Sequence, residues 1–126
     1  MKRGWLGVAI LLIFLALGFM TAEAMENAHR PTQVLLEQAA NATLSGEFDR
    51  GVALGMEAKS QWERHWNGTA AVADHSPMDD VDALFAEMEI YAKAGEAPHF
   101  AACCQELSRR LQAMAEAHTF SWWNVL

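Results

Sequence analysis

Three features of the sequence predict an all-α fold, an N-terminal membrane helix followed by a small antiparallel helical bundle of three or four helices. The chain carries an unbroken apolar run from Gly4 to Ala22, apolar residues recur at a 3.6-residue period through most of the remainder, and no stretch shows the alternation of a β-strand. Amphipathic helices joined by short connections bury their stripes best against one another, which is the physical basis of a bundle.

The run from Gly4 to Ala22 holds nineteen uncharged residues between Lys2 and Arg3 on one side and Glu23 and Glu26 on the other. As a helix it is about 28 Å long, close to the hydrocarbon thickness of a bilayer. Positive charge is retained on the cytoplasmic side, so a single-pass topology has the amino terminus in the cytoplasm and the rest of the chain outside. Trp5 occupies the place of an interfacial aromatic anchor. The rival reading is a cleaved secretory signal, with Ala22-Glu23-Ala24 as a small-x-small site and secretion after cleavage near Ala24. Because the apolar run continues through Gly18, Phe19 and Met20, beyond what a signal needs, retention in the cell membrane is the favoured expectation. Residues 1–24 then form the anchor or signal segment and residues 25–126 an extracytoplasmic helical domain.

The first helix beyond the anchor is expected from Pro31 to Ala42, with Pro31 at its start, although the segment also reads as a continuation of the membrane helix broken near Pro31. Its apolar pattern is the least regular of the four, because Val34, Leu35 and Leu36 cover more than one face. The second runs from Glu47 to Trp66, preceded by Ser45 and Gly46, with Phe48, Val52, Met56, Trp62 and Trp66 on one broad side and Asn67-Gly68 as its stop. The third opens at Ser76-Pro77 as N-cap and first helical residue and closes at Ala94-Gly95. Its stripe is Val81, Leu84, Phe85, Met88 and Ala92, with Asp80, Asp82, Glu87 and Glu89 toward water. The fourth spans about Pro98 to His118 with Phe100, Cys103, Cys104, Leu107, Leu111 and Met114 on one side. Trp62, Trp66, Phe85, Leu107 and Leu111 are expected to be structural.

Leaving aside Lys2, Arg3 and Glu23, the chain beyond Ala24 has fifteen Asp and Glu against seven Lys and Arg. That balance excludes nucleic acid as a partner and disfavours anionic lipid surfaces. The two cysteines are neighbours, so a disulfide framework is absent. Core filling is the expected role of Cys103 and Cys104, with an intermolecular disulfide as the functional alternative. The five histidines, His29, His65, His75, His99 and His118, include no pair at i,i+3 or i,i+4, so no metal site is expected from spacing. No Gly-x-Ser-x-Gly elbow and no phosphate-binding glycine motif occurs. An enzyme is therefore the weaker class, and no cofactor is expected. The two Asn-x-Thr matches, at Asn41 and Asn67, carry no functional weight.

Five of the last seven residues are apolar: Phe120, Trp122, Trp123, Val125 and Leu126. Trp122, Trp123, Val125 and Leu126 form the candidate docking surface, against the bundle, the membrane interface or a partner. Taken in order, an amino-terminal anchor, Trp62 and Trp66, Asp74-His75, an acidic helix to Tyr91-Ala92-Lys93 and a closing Asn124-Val125-Leu126 resemble the bacterial family called domain of unknown function 4363. The sequence departs from it at Ser76-Pro77-Met78, where a more acidic stretch is expected. The resemblance spans essentially the whole chain and implies a small membrane-anchored helical protein, with His75 as a candidate functional polar residue and no established activity. The expected function is an interaction or accessory module of a membrane protein or of the cell envelope, working with a membrane protein partner or by self-association. The alternative is a ligand-binding sensor domain, which would show a deep apolar pocket between helices.

Overall fold

The computed structural model describes the backbone of residues 2–69 and 75–124, and the side chains of residues 3–20, 29–65 and 78–116. It contains four helices, α1 (Lys2–Leu44), α2 (Phe48–Thr69), α3 (His75–Ala94) and α4 (Ala97–Asn124), and no strand among the described residues. Helix α1 packs against α2 and α4, and α3 packs chiefly against α4, giving an antiparallel bundle in which α1 is the longest member.

Helix α1 runs without a break through 43 residues, or about 65 Å, so the apolar run and the first helix of the bundle are one element. Neither expectation for Pro31 holds in full: the segment continues the apolar helix, but Pro31 neither starts a helix nor breaks one and lies inside α1. Proline removes one backbone donor and leaves the carbonyl four residues earlier without its helical partner. Pro31 is exposed, so water reaches that side of the helix. From Arg3 to Met20 the mean hydropathy is 2.0 and only 6% of the segment is buried, which makes this one helix long and apolar enough to cross a membrane. Trp5, Leu6, Phe14 and Phe19 are each more than 60% exposed there.

Beyond His29 the character of α1 changes. Thr32, Leu36, Ala39, Ala40 and Thr43 line one buried stripe at helical spacing, whereas Val34 points outward. The irregular triplet Val34-Leu35-Leu36 is thereby resolved, with only Leu36 at the centre of the core.

Both tight turns end their helices in the same way. Gly46, at φ +86°, follows α1, with bonds from Gly46 N to Thr43 O and from Glu47 N to Ala42 O; Gly95, at φ +71°, follows α3, with bonds from Gly95 N to Ala92 O and from Glu96 N to Tyr91 O. This is the Schellman arrangement, and its left-handed residue is one that glycine occupies without a Cβ penalty. Helix α2 continues to Thr69, past the expected stop at Asn67-Gly68, and α3 begins at His75, one residue ahead of Ser76. Helix α4 begins at Ala97 and extends to Asn124, six residues past His118.

The centre of α2's buried face is made of small residues. Gly51, Gly55, Ala58 and Trp62 are buried, while Phe48, Val52 and Met56 are only partly so and flank them. A Cβ at Gly51 would lie 2.1 Å from Thr43 Oγ1 and 2.9 Å from the carbonyl oxygen of Ala39, and one at Gly55 would lie 2.9 Å from Phe100 Cζ. Glycine thus permits α1 and α2 to approach backbone to backbone and gives the Phe100 ring its place above α2. On α3 and α4 the expected stripes are observed, with Val81, Phe85, Met88, Phe100, Leu107 and Leu111 each at most 2% exposed. Phe48 meets Phe100 edge to face at 5.6 Å between ring centroids.

The close approach at Gly51 predicts that Gly51→Ala destabilises the bundle by about 1–3 kcal/mol, as overpacking does. Helix propensity alone predicts a gain of about 1 kcal/mol for the same change. Denaturant melts of the two proteins decide the sign.

Candidate functional site

Two clefts flank the segment of α1 that first enters the bundle. Between α1 and α4 lies a cleft of about 360 Å³ lined by His29, Arg30, Gln33, Glu37, Gln112 and Glu116, with Val34 and Ala115. On the other side, between α1 and α2, a cleft of about 500 Å³ is bounded by Arg30, Pro31, Val34, Leu35, Glu57 and Gln61. Each sits beside an interhelical hydrogen bond made by a buried hydroxyl. Ser108 Oγ donates to Glu37 Oε1 at 3.2 Å beside the first cleft, and Thr32 Oγ1 donates to Gln61 Oε1 at 3.2 Å beside the second. Their linings mix cationic and anionic side chains, an arrangement suited to hydrogen-bonding a polar segment. Neither is the deep apolar pocket that a ligand sensor calls for.

Trp62, next in sequence to Gln61 and 2% exposed, joins three helices. Its indole N–H donates to Asp82 Oδ1 of α3 at 2.7 Å, its ring stacks with Phe85 at 6.2 Å between centroids, and the His29 ring of α1 lies 5.8 Å away. A buried indole needs a partner for its one donor, and Asp82 supplies a charged one. His29 and His65, 36 positions apart in sequence, come within 6.4 Å edge to face, a pairing that sequence spacing does not reveal. Among the described residues no group of three or more His, Cys, Asp or Glu is arranged to hold a metal ion.

One helical turn before Trp62, Lys59 forms the second link between α2 and α3. Its Nζ lies 2.5 Å from Glu89 Oε2 and 3.9 Å from Glu63 Oε1, and Lys93 Nζ lies 3.3 Å from Glu89 Oε1. The hydrogen bond from Lys59, followed by that from Lys93, holds the Glu89 carboxyl below the usual carboxylate range. The same bond to Glu89 raises Lys59, against the opposing effect of its burial. Glu89, expected on the wet side, is therefore partly covered by its cations.

Cys103 and Cys104 are both free and buried. Burial, with a smaller effect from the Glu87 and Glu106 charges, pushes the Cys103 thiol up to about 11; burial, with its neighbour Cys103, pushes Cys104 up to about 12. Cys103 Sγ donates to the Leu84 carbonyl at 3.3 Å, tying α4 to α3. Such thiols stay protonated at neutral pH, which suits packing and disfavours nucleophilic chemistry.

The other candidate residues fall at the edges of what is described. His75 is the first residue of α3, Trp66 lies within α2, and Trp122 and Trp123 lie in the last turn of α4; the side chains of all four are outside the described residues. Val125 and Leu126 lie outside them altogether. Comparison with family models, with curated proteins and with solved structures gives no match.

Two outcomes follow. Trp62→Ala is expected to cost about 3–5 kcal/mol as a buried aromatic truncation, and Trp62→Phe to cost less, with a double-mutant cycle between Trp62→Phe and Asp82→Ala showing a favourable coupling from the indole N–H bond. A Trp62→Ala protein that melts like the wild type contradicts this. For the ion pair, Glu89 is lowered when folded, so its contribution is present above its ordinary value of 4.5 and is lost as pH falls through the lowered value. Lys59 is raised, so its contribution is present below its ordinary value of 10.5 and is lost as pH rises through the raised one. Glu89→Gln is expected to flatten the pH dependence of the denaturation midpoint at both extremes; an unchanged acid limb contradicts the assignment.

Proposed function

We propose that this chain is a membrane-anchored interaction module: a single-pass anchor with its amino terminus in the cytoplasm, carrying a helical domain outside that docks on a membrane protein or another component of the envelope. The observation that carries this reading is the continuity of α1. An exposed apolar helix of membrane-spanning length passes directly into the helix whose face forms one wall of the bundle core. Leaving twelve large apolar side chains between Trp5 and Met20 in water is costly, and a bilayer is the solvent that removes the cost. Lys2 and Arg3 supply the orientation by the retention of positive charge inside.

Continuity also has a mechanical consequence, because a bundle built on the anchor helix itself has no flexible linker at its base. Its membrane-proximal clefts are held near the bilayer surface, where the polar segments of another membrane protein would meet them. The mixed lining of the cleft between α1 and α4 supports protein contact over small-molecule chemistry.

The test has two arms. A carbonate wash is expected to leave the protein in the membrane with residues 1–24 intact, and a membrane-impermeant maleimide is expected to label Glu96→Cys from outside intact cells. Recovery of only a soluble form beginning at Met25 would reject the anchor. Photo-crosslinkers at Gln33 and Gln112 are expected to yield one discrete adduct with a membrane protein, whereas a crosslinker at exposed Asp49, at the far end of the bundle, yields none. Equal patterns from all three positions contradict the proposed docking site.

A further inference from the structure

The far end of α4 lies beside the place where α1 leaves its apolar run. Ser108 of α4 bonds Glu37 of α1, and the cleft farther along places Glu116 across from His29, so the two helices run antiparallel with each residue gained on α4 matching one lost on α1. Equal rise per residue preserves that register. Asn124 is sixteen residues beyond Ser108, and sixteen residues before Glu37 stands Thr21, the first position after the Arg3–Met20 span. Residues 122 and 123 are then level with residues 23 and 22 of α1.

We propose that the last turn of α4 is a second membrane contact, with Trp122 and Trp123 in the headgroup layer at the outer end of the span and Trp5 in the corresponding layer at its inner end. This rests on the anchored reading of α1. The occupant of the surface is zwitterionic lipid. Tryptophan favours the membrane–water interface, where its ring is half solvated by apolar matter and its N–H remains wet. From Trp5 to the level of residue 22 is about 26 Å along the helix, close to the roughly 30 Å of a hydrocarbon core. After Glu116, α4 carries no Asp, Glu, Lys or Arg, in a domain otherwise strongly acidic, so α4 itself brings no acidic or strongly basic side chain to the lipid surface. Anionic headgroups are disfavoured as the contact, since Glu23 and Glu26 flank the same level.

The full chain reconstituted in phosphatidylcholine vesicles, with bromine on the lipid chains near the headgroup as a contact quencher, tests this. In a Trp66→Phe background, Trp5→Phe is expected to remove roughly one third of the bromine-quenched tryptophan emission and Trp122→Phe/Trp123→Phe roughly two thirds, since buried Trp62 is shielded. A double variant that quenches like the wild type, while Trp5→Phe loses quenching, overturns the second contact and leaves the anchor standing. Absence of quenching in every variant, with the protein outside the vesicles, overturns the anchor and the contact with it. Emission from residues 122 and 123 that resists both bromolipid and acrylamide overturns the proposal in favour of a protein surface. Ser121→Cys carrying an environment-sensitive fluorophore reads the same depth with all five tryptophans in place: a blue shift on vesicle insertion is expected, and a water-like emission overturns the contact.

Discussion

Helix α1 carries two different surfaces along one unbroken axis, and most of the architecture follows from that. Its first half exposes large apolar side chains all around, the pattern of a helix surrounded by hydrocarbon, while its second half narrows to a stripe of Leu36, Ala39, Ala40 and Thr43. The second half is covered by α2 and α4, whereas the first leaves its large apolar side chains exposed. The bundle is therefore tied to the apolar run through one helix: where α1 stops being exposed and apolar, its buried stripe against α2 and α4 begins.

Within the bundle, side-chain size sets the spacing of the helices. Against α1, α2 presents Gly51 where any Cβ would strike Thr43 and the Ala39 carbonyl, so these two helices meet nearly backbone to backbone. Toward α3 the same helix presents Trp62, whose ring fills a wide gap with Phe85 and whose N–H reaches Asp82. One end of this buried stripe is closed by the absence of side chains and the other by the largest of them. Polar links are distributed in the same manner: a buried hydroxyl joins α1 to each neighbour through Thr32 and Ser108, and the Lys59–Glu89 pair fastens the more loosely packed α2–α3 side. Since that pair is partly exposed, it fixes register more than it adds stability.

Much of this was legible in the sequence because apolar periodicity reports directly on burial. Val81, Phe85, Met88, Phe100, Cys104, Leu107 and Leu111 stand where their spacing puts them, and Gly95 ends α3 as expected, whereas Gly46, read as the entry to the second helix, closes α1. What was hidden has identifiable causes. Gly51 and Gly55 contribute nothing to an apolar stripe, so the tightest interface in the bundle reads as a gap between Phe48, Val52 and Met56. Pro31 has the same sequence signature at a helix start as on the solvated face inside one, and only the packing of the segments on either side distinguishes the two. The meeting of His29 with His65 and of Lys59 with Glu89 depends on which helices become neighbours, information that local spacing does not carry.

The central claim is that the apolar span and the bundle share one unbroken helix. Electron–electron double resonance between nitroxides placed at exposed positions 14 and 38 measures this directly in lipid vesicles, since the buried native thiols resist labelling. Twenty-four residues of continuous helix put the labelled positions about 36 Å apart along the axis. A single narrow distance distribution centred near that separation is the predicted result. A broad distribution, or one shortened by more than a helical turn, would mean that α1 bends or breaks between the apolar run and the bundle, and would contradict the claim.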